Sequence, residues 1–129
     1  MRYRPVIFSF IFMFLAIPAF ASVERTVLDN GLTVLISEMP ASSVTAINFW
    51  VKTGSANEGR FMGSGITHFV EHMLFKGTAA RPAGVIPAEA KAMGGYINAS
   101  TGYDNTSYVL SVPSANTHKA IDLLADMLF

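Results

Sequence analysis

Cysteine is absent from the 129 residues of the sequence. Disulfide bonds, thiolate zinc ligands and thiol nucleophiles are therefore excluded, and a folded domain of this chain has to rely on its apolar core. Charge of either sign is also scarce, with nine basic and nine acidic residues making up 14% of the chain. No basic patch is present, so we expect no nucleic-acid partner. The sequence shows no internal repeat, low-complexity tract or long linker.

The first 21 residues have the organisation of a secretory signal peptide. Arg2 and Arg4 form a basic start, Val6 to Ile17 is an almost unbroken apolar run, and Ala19-Phe20-Ala21 has the small residues that a signal peptidase reads. We predict cleavage after Ala21 and export of the mature protein, either to the periplasm or out of the cell. An uncleaved membrane anchor fits less well, because a membrane span needs about 20 apolar residues.

Residues 22–129 alternate short β-rich runs with helical patterns. Asp29-Asn30-Gly31 separates two such runs and indicates a hairpin, because Asn-Gly readily adopts positive φ. A strand is predicted over 44–53, and a second hairpin over 96–101 and 106–112. Hairpins place their strands antiparallel. We therefore predict an α+β fold with helices packed on one face of a mainly antiparallel sheet, which fits better than a parallel doubly wound sheet.

Three helices are predicted among these strands. The first follows Ser64, a suitable N-cap, and stops near Gly77; the second covers 87–93; the third opens at Pro113-Ser114. Apolar residues recur at helical spacing in the first and third helices, and we expect them to be buried. They are Ile66, Phe69, Val70, Met73 and Leu74 in the first helix, and Ile121, Leu124, Met127 and Leu128 in the third.

The first helix carries the most informative motif of the chain, His68-Phe-Val-Glu71-His72. A step of four residues returns to nearly the same side of a helix, so both imidazoles project from one face and can bind a zinc ion together. Glu71 leans toward the same position, where a carboxylate can take a proton from a zinc-activated water and return it to a leaving amine. This order is the inverse of the commoner His-Glu-x-x-His. The alternative, two histidines that bind nothing, leaves the spacing and the glutamate unexplained.

Three blocks of the sequence resemble one known family. The stretch from Gly65 to Thr78 is similar to the active-site helix of the pitrilysin-type, or insulinase-type, zinc peptidases, which include mitochondrial and bacterial processing proteases. The block Gly94-Gly95-Tyr-Ile-Asn98-Ala99-Ser-Thr101, followed by Asp104, Thr106 and Tyr108, resembles the family's downstream motif, and Leu28 to Leu35 resembles the way these domains begin. We interpret residues 22–129 as the N-terminal, incomplete part of a zinc metallopeptidase domain.

The resemblance implies a zinc endopeptidase in which His68 and His72 bind Zn²⁺ and Glu71 is the general base. It also implies that the strand with Asn98 and Ala99 lies beside the metal and pairs with a peptide or an unfolded protein segment, since an edge strand offers unpaired N–H and C=O groups. The family's third zinc ligand is a glutamate further along the chain than Phe129. We therefore expect this stretch alone to bind zinc weakly and to be nearly inactive. A second homologous metallopeptidase half, in the same chain or in a partner subunit, is expected as well.

Two other interpretations start from the same residues. A non-catalytic homologue, acting as a partner half or an assembly subunit, would commonly lose the metal residues, whereas this chain keeps His68, Glu71 and His72. The S-ribosylhomocysteine lyases share the inverse motif on a related fold, but they use a cysteine in their chemistry and are cytoplasmic. The absence of cysteine and the predicted export signal argue against a lyase.

Overall fold

The computed structural model of the protein describes residues 22–129. The predicted signal peptide and its cleavage site fall on residues 1–21 and lie outside the described residues. The chain divides into one compact unit that ends at Met39 and another that runs from Pro40 to Phe129. Within the described range, no helix has both the length and the apolar character that crossing a membrane requires.

The first unit contains a β-hairpin. Strand β1 (Val23–Val27) pairs antiparallel with strand β2 (Thr33–Ser37). In the connecting turn Gly31 has a φ of 86°, and the Asn30 side chain accepts a hydrogen bond from the Leu32 N–H at 3.0 Å. Left-handed backbone suits glycine, and an asparagine side chain readily bonds the backbone of its own turn. The predicted hairpin is confirmed, and Asn30-Gly31 forms its turn as expected.

The second unit is built on a three-stranded sheet. Its strands are β3 (Val44–Val51), β4 (Tyr96–Thr101) and β5 (Thr106–Pro113), in the spatial order β3-β5-β4. Both pairings are antiparallel. Strand β3 is the single strand expected from alternation, and β4 with β5 is the expected second hairpin, so both predictions are confirmed.

Three α-helices complete the second unit: α1 (Ile66–Leu74), α2 (Val85–Ala92) and α3 (Thr117–Leu128). Two short 3-10 helices cover Ser55–Phe61 and Ser114–Asn116. The first of them lies between β3 and α1. Helices α2 and α3 pack on one face of the antiparallel sheet, and the α+β prediction is confirmed.

The core lies between that sheet face and helices α2 and α3. Alternate residues of β5 are buried, as the two-residue period of a strand requires. In α3, Leu124 and Met127 are buried as predicted and Leu128 is partly buried, but Ile121 is 51% exposed, so its assignment to the core is wrong. The helix is rotated so that Leu123 lies inside instead. The buried apolar residues are Ile86, Ala90, Tyr108, Leu110, Val112, Ala120, Leu123, Leu124 and Met127.

The apolar stripe of α1 is largely exposed, which contradicts the expected burial. Its members Ile66, Phe69, Val70 and Met73 are 44–64% exposed. Within the stripe, Leu74 packs against the core, and the buried residue of the helix is Glu71. Helical spacing shows which residues share a face, but the tertiary contacts decide which face is covered. Here α1 turns its Glu71 side toward β4 and the first 3-10 helix.

Candidate metal centre

Helix α1 brings the three residues of the motif together. The Nε2 atoms of His68 and His72 lie 3.1 Å apart, and the two ring centroids lie 4.6 Å apart. One ligand atom from each histidine and one carboxylate oxygen of Glu71 all lie within 4.8 Å of one another. The four-residue step of the helix produces this juxtaposition directly.

The donor set of this centre fits a zinc ion. Two Zn–N bonds of 2.0–2.1 Å at a tetrahedral angle place the nitrogens about 3.3–3.4 Å apart, close to the observed 3.1 Å. His68 and His72 would hold the ion through these two ring nitrogens. Both histidines are exposed, and an ion can therefore reach them from solvent.

Glu71 is the buried carboxylate of the centre, with 6% of its surface exposed. Thr101, the last residue of β4, donates its hydroxyl hydrogen to Glu71 Oε2. Burial, and then the negative charge of Glu71, raise the pKa of the nearby Tyr108 phenol above its ordinary value of 10.0. Tyr108 therefore stays protonated at neutral pH. A carboxylate that accepts a hydrogen bond on one oxygen keeps its other oxygen for a transferred proton.

A second carboxylate, that of Glu58, holds the start of α1. It accepts hydrogen bonds from the backbone N–H groups of Thr67 at 2.9 Å, Gly63 at 3.1 Å and Gly65 at 3.4 Å. These bonds, with that of Thr67 the largest contribution, hold the pKa of Glu58 below its ordinary value of 4.5. The predicted N-cap at Ser64 is wrong, because the helix begins after Gly65, whose φ is 77°. Glu58 supplies from outside the helix the acceptor that a capping side chain would otherwise provide.

The segment before α1 packs closely on the turn between β4 and β5. The Ser55 N–H donates to the Gly102 carbonyl at 3.1 Å, and the Thr67 hydroxyl donates to the Gly54 carbonyl at 3.3 Å. A Cβ atom on Gly54 would lie 2.6 Å from the Gly102 oxygen. Glycine is required at this contact for space, and the contact fixes the beginning of α1 relative to the hairpin that carries Thr101.

Strand β4 forms one edge of the sheet. It pairs with β5, and no strand of residues 22–129 pairs with its other side. Asn98 and Ala99 lie in the middle of the strand, where Ala99 is partly buried on the helix-facing side and Asn98 is exposed. Because side chains alternate along a strand, Asn98 and Thr101 lie on opposite faces of the sheet. What the strand offers beside α1 is therefore its row of backbone N–H and C=O groups.

The sequence alone assigned no role to two residues of this centre, Glu58 and Thr101. Thr101 lies 30 residues from Glu71, and Glu58 lies nine residues from Thr67. No helical or strand period connects residues at such separations. The one available signal was that Thr101 belongs to the second family-like block; nothing in the sequence marks Glu58.

The fold and the centre define a class of protein, an α+β domain that carries an inverted His-x-x-Glu-His metal motif on a helix beside an edge strand. Within that class, residues 33–129 match the family model described as Insulinase (Peptidase family M16). The chain belongs to this peptidase family. The resemblance to pitrilysin-type and insulinase-type peptidases is thereby confirmed.

Relatives in sequence agree with this assignment. An uncharacterized zinc protease of Rickettsia felis is 46% identical over 101 residues, which are 78% of this chain and 24% of that protein. The mitochondrial-processing peptidase subunit beta of Dictyostelium discoideum is 39% identical over 104 residues, which are 80% of this chain and 22% of that protein. The chain thus spans about a quarter of the length of these relatives.

Solved structures share the fold as well. A protease from Helicobacter pylori superimposes with a TM-score of 0.77 and 35% identity, covering 84% of this chain and 26% of that one. Pitrilysin superimposes with a TM-score of 0.75 and 29% identity, covering 85% of this chain and 12% of that one. The arrangement of sheet and helices described above is therefore that of known proteases.

Proposed function

We propose that the protein is a zinc-dependent endopeptidase that cleaves extended peptides or unfolded protein segments. The observation that carries this proposal is the convergence of His68, Glu71 and His72 within 4.8 Å on one helix. Membership of the M16 family supports it, as do the relatives named zinc proteases. His68 and His72 would hold the zinc ion, which when bound polarises the peptide carbonyl and activates a water molecule for attack.

Glu71 is the general base of the proposed reaction. The Thr101 hydroxyl occupies its Oε2 atom, so Oε1 is the oxygen left to take a proton from the attacking water. The same oxygen then returns the proton to the leaving amine. Burial of Glu71 limits the bulk water that would compete for its carboxylate.

The substrate would bind along strand β4. Its unpaired edge can accept an extended peptide as an additional strand, with main-chain hydrogen bonds providing the affinity. Asn98 and Ala99 would contribute backbone groups in this pairing. A peptide added there lies next to α1, which contacts β4, and so next to the metal-binding histidines.

The complete enzyme needs more than residues 22–129. A catalytic zinc site typically has three protein ligands and an open position, and the described centre offers two histidines. We therefore expect residues 22–129 alone to hold zinc weakly and to be nearly inactive. A third ligand and a second homologous half would come from the rest of the encoded polypeptide or from a partner, and the name of the Dictyostelium relative, a subunit, supports such an assembly. The predicted signal peptide would direct the enzyme to the periplasm or out of the cell.

The proposal is tested by Glu71→Gln in the full polypeptide that the gene encodes. The amide cannot act as a base, so we expect peptide hydrolysis to fall by at least about 100-fold while about one zinc per chain is retained. Hydrolysis of an internally quenched peptide and metal analysis of the purified protein measure the two effects. Glu24→Gln, the same change on exposed strand β1, is the matched control and should match the wild type. Undiminished hydrolysis by Glu71→Gln would exclude this mechanism.

A chelator separates the enzyme from a non-catalytic homologue. We expect chelation to abolish hydrolysis and added zinc to restore it, because the two histidine ligands have no catalytic function without the ion. A full polypeptide that cleaves nothing, with or without zinc, would instead favour the role of a partner half or an assembly subunit.

A further inference from the structure

The hydrogen bond between Thr101 and Glu71 joins the two elements that the proposed reaction requires. Glu71 lies on α1 between the two histidines, and Thr101 ends β4, the proposed substrate strand. The Thr101 hydroxyl donates to Glu71 Oε2. No other group of residues 22–129 donates a hydrogen bond to this carboxylate.

We propose that Thr101 is a positioning residue for the general base Glu71, an inference that rests on the proposed function. A carboxylate bonded through one oxygen loses rotation about its terminal bond, so its other oxygen keeps a single direction. Threonine suits this task because its branched Cβ restricts χ1 and so holds the hydroxyl in place. The side chain is also half-buried, which strengthens a hydrogen bond to a charged group.

Thr101 is itself held from the other side of the hairpin. It pairs with Thr106 of β5, a residue that is 4% exposed. The Thr106 hydroxyl donates to the Thr53 carbonyl at 2.8 Å, which holds this end of β5 against the backbone that follows β3. The position of Thr101 is therefore fixed by the sheet, independently of Glu71.

Strand β4 carries both Thr101, which holds the base Glu71, and the backbone groups that would pair with substrate. A peptide that adds to the edge of β4 therefore lies in a fixed relation to the base. The Thr101 hydroxyl contacts Glu71 and takes no part in the proposed main-chain pairing with substrate. Loss of this hydroxyl should therefore affect the chemical step more than substrate binding.

The test uses the full encoded polypeptide with zinc bound and compares Thr101→Val with Thr101→Ser. Valine keeps the shape and removes the hydroxyl; we expect kcat to fall about 10- to 100-fold, the effect of one lost hydrogen bond to a charged group, with KM changed less than about twofold. Serine retains the donor and should restore most of kcat. Thr45→Val is the matched control, since Thr45 is half-buried and its hydroxyl shares a hydrogen bond of 2.8 Å with the hydroxyl of Thr117 on α3, outside the metal centre.

A second readout does not use activity. Zinc content should be unchanged in Thr101→Val, and a double-mutant cycle with Glu71→Ala should show that the two side chains stabilise the fold jointly rather than additively. Wild-type kcat in Thr101→Val, equal losses in the valine and serine variants, or an effect confined to KM would each overturn the positioning role. A wild type without hydrolytic activity would instead overturn the proposed function, and this inference with it.

Discussion

Glu58 shows how a single side chain can set the geometry of a helix that it does not belong to. Its two carboxylate oxygens together accept hydrogen bonds from Gly63, Gly65 and Thr67. The first N–H groups of a helix lack partners within the helix and carry its partial positive charge, so a carboxylate there is favourable on both counts. The first turn of α1 leads directly into His68, and the position of that histidine depends on it.

We expect Glu58→Ala to lower the thermal unfolding temperature and to weaken zinc binding, because the first turn of α1 loses its acceptors. Glu58→Gln, which keeps one acceptor oxygen, should lie between alanine and the wild type. Differential scanning fluorimetry and titration with a zinc indicator measure the two effects. Glu38→Gln, on the exposed segment after β2, is the control. Wild-type zinc affinity in Glu58→Ala would show that α1 holds its histidines without this bond.

The pH dependence of the stability that Glu58 contributes follows from the direction in which its pKa is shifted. The hydrogen bonds hold the pKa of Glu58 in the folded protein below the ordinary 4.5. A lowered pKa means that the stabilisation is fully present above the ordinary value and is lost as the pH falls through the folded value. The difference in unfolding temperature between the wild type and Glu58→Gln should therefore be constant near neutral pH and shrink below pH 4.5.

At the scale of elements, β5 is the strand on which the second unit depends. It lies between β3 and β4. Every second side chain of β5 packs in the core beneath the helices, among them Leu110 with 0% exposure. Its neighbour Val109 points to the opposite face and is half-buried. Two adjacent residues of similar character thus occupy very different environments.

We expect Leu110→Ala to destabilise the protein by about 2–5 kcal/mol, because it removes buried contacts and leaves a cavity. Val109→Ala, next to it on the other face, should cost about 1 kcal/mol or less. Urea unfolding monitored by circular dichroism compares the two variants. Equal losses would mean that both faces of β5 are covered to the same extent in the complete protein.

At the scale of the whole second unit, Arg81 connects the loop after α1 to both core helices. Its guanidinium lies 3.0 Å from Glu89 of α2, 2.6 Å from Asp122 and 2.7 Å from Asp126 of α3. The Asp126 carboxylate also accepts a bond from the Thr78 hydroxyl at 2.7 Å. The bond from Arg81, followed by that from Thr78, holds the pKa of Asp126 below its ordinary 3.8.

We expect Arg81→Met to lower the unfolding temperature and Arg81→Lys to recover only part of the loss, because lysine cannot bond three carboxylates with a planar fork. The stability that the ionised Asp126 carboxylate contributes is present above its ordinary pKa and is lost as the pH falls below 3.8. The wild type and Asp126→Asn should therefore converge in stability in acid. Lys119→Met, which removes an exposed cation from α3, is the control. A wild-type unfolding temperature in Arg81→Met would show that the loop and helices are held by apolar packing alone.

Most of the fold and the central part of the candidate site could be predicted from the sequence. The hairpins, the strand β3 and the pairing of His68 with His72 each depend on residues only a few positions apart, so turn chemistry and periodicity were sufficient. The predictions that went wrong concern contacts between separate parts of the chain. The Glu58 carboxylate, and not Ser64, bonds the start of α1, and Ile121 points to solvent.

The amino-acid sequence by itself determined which elements form and which metal-binding groups share a helix face, because short-range backbone geometry governs both. Only the tertiary structure decided that the Glu71 side of α1 is covered and its apolar stripe exposed. Only the tertiary structure, likewise, placed Thr101 against Glu71, 30 positions away in the chain, and Arg81 between two helices. Contacts of this kind depend on how separate elements pack, and no local pattern in the chain encodes that packing.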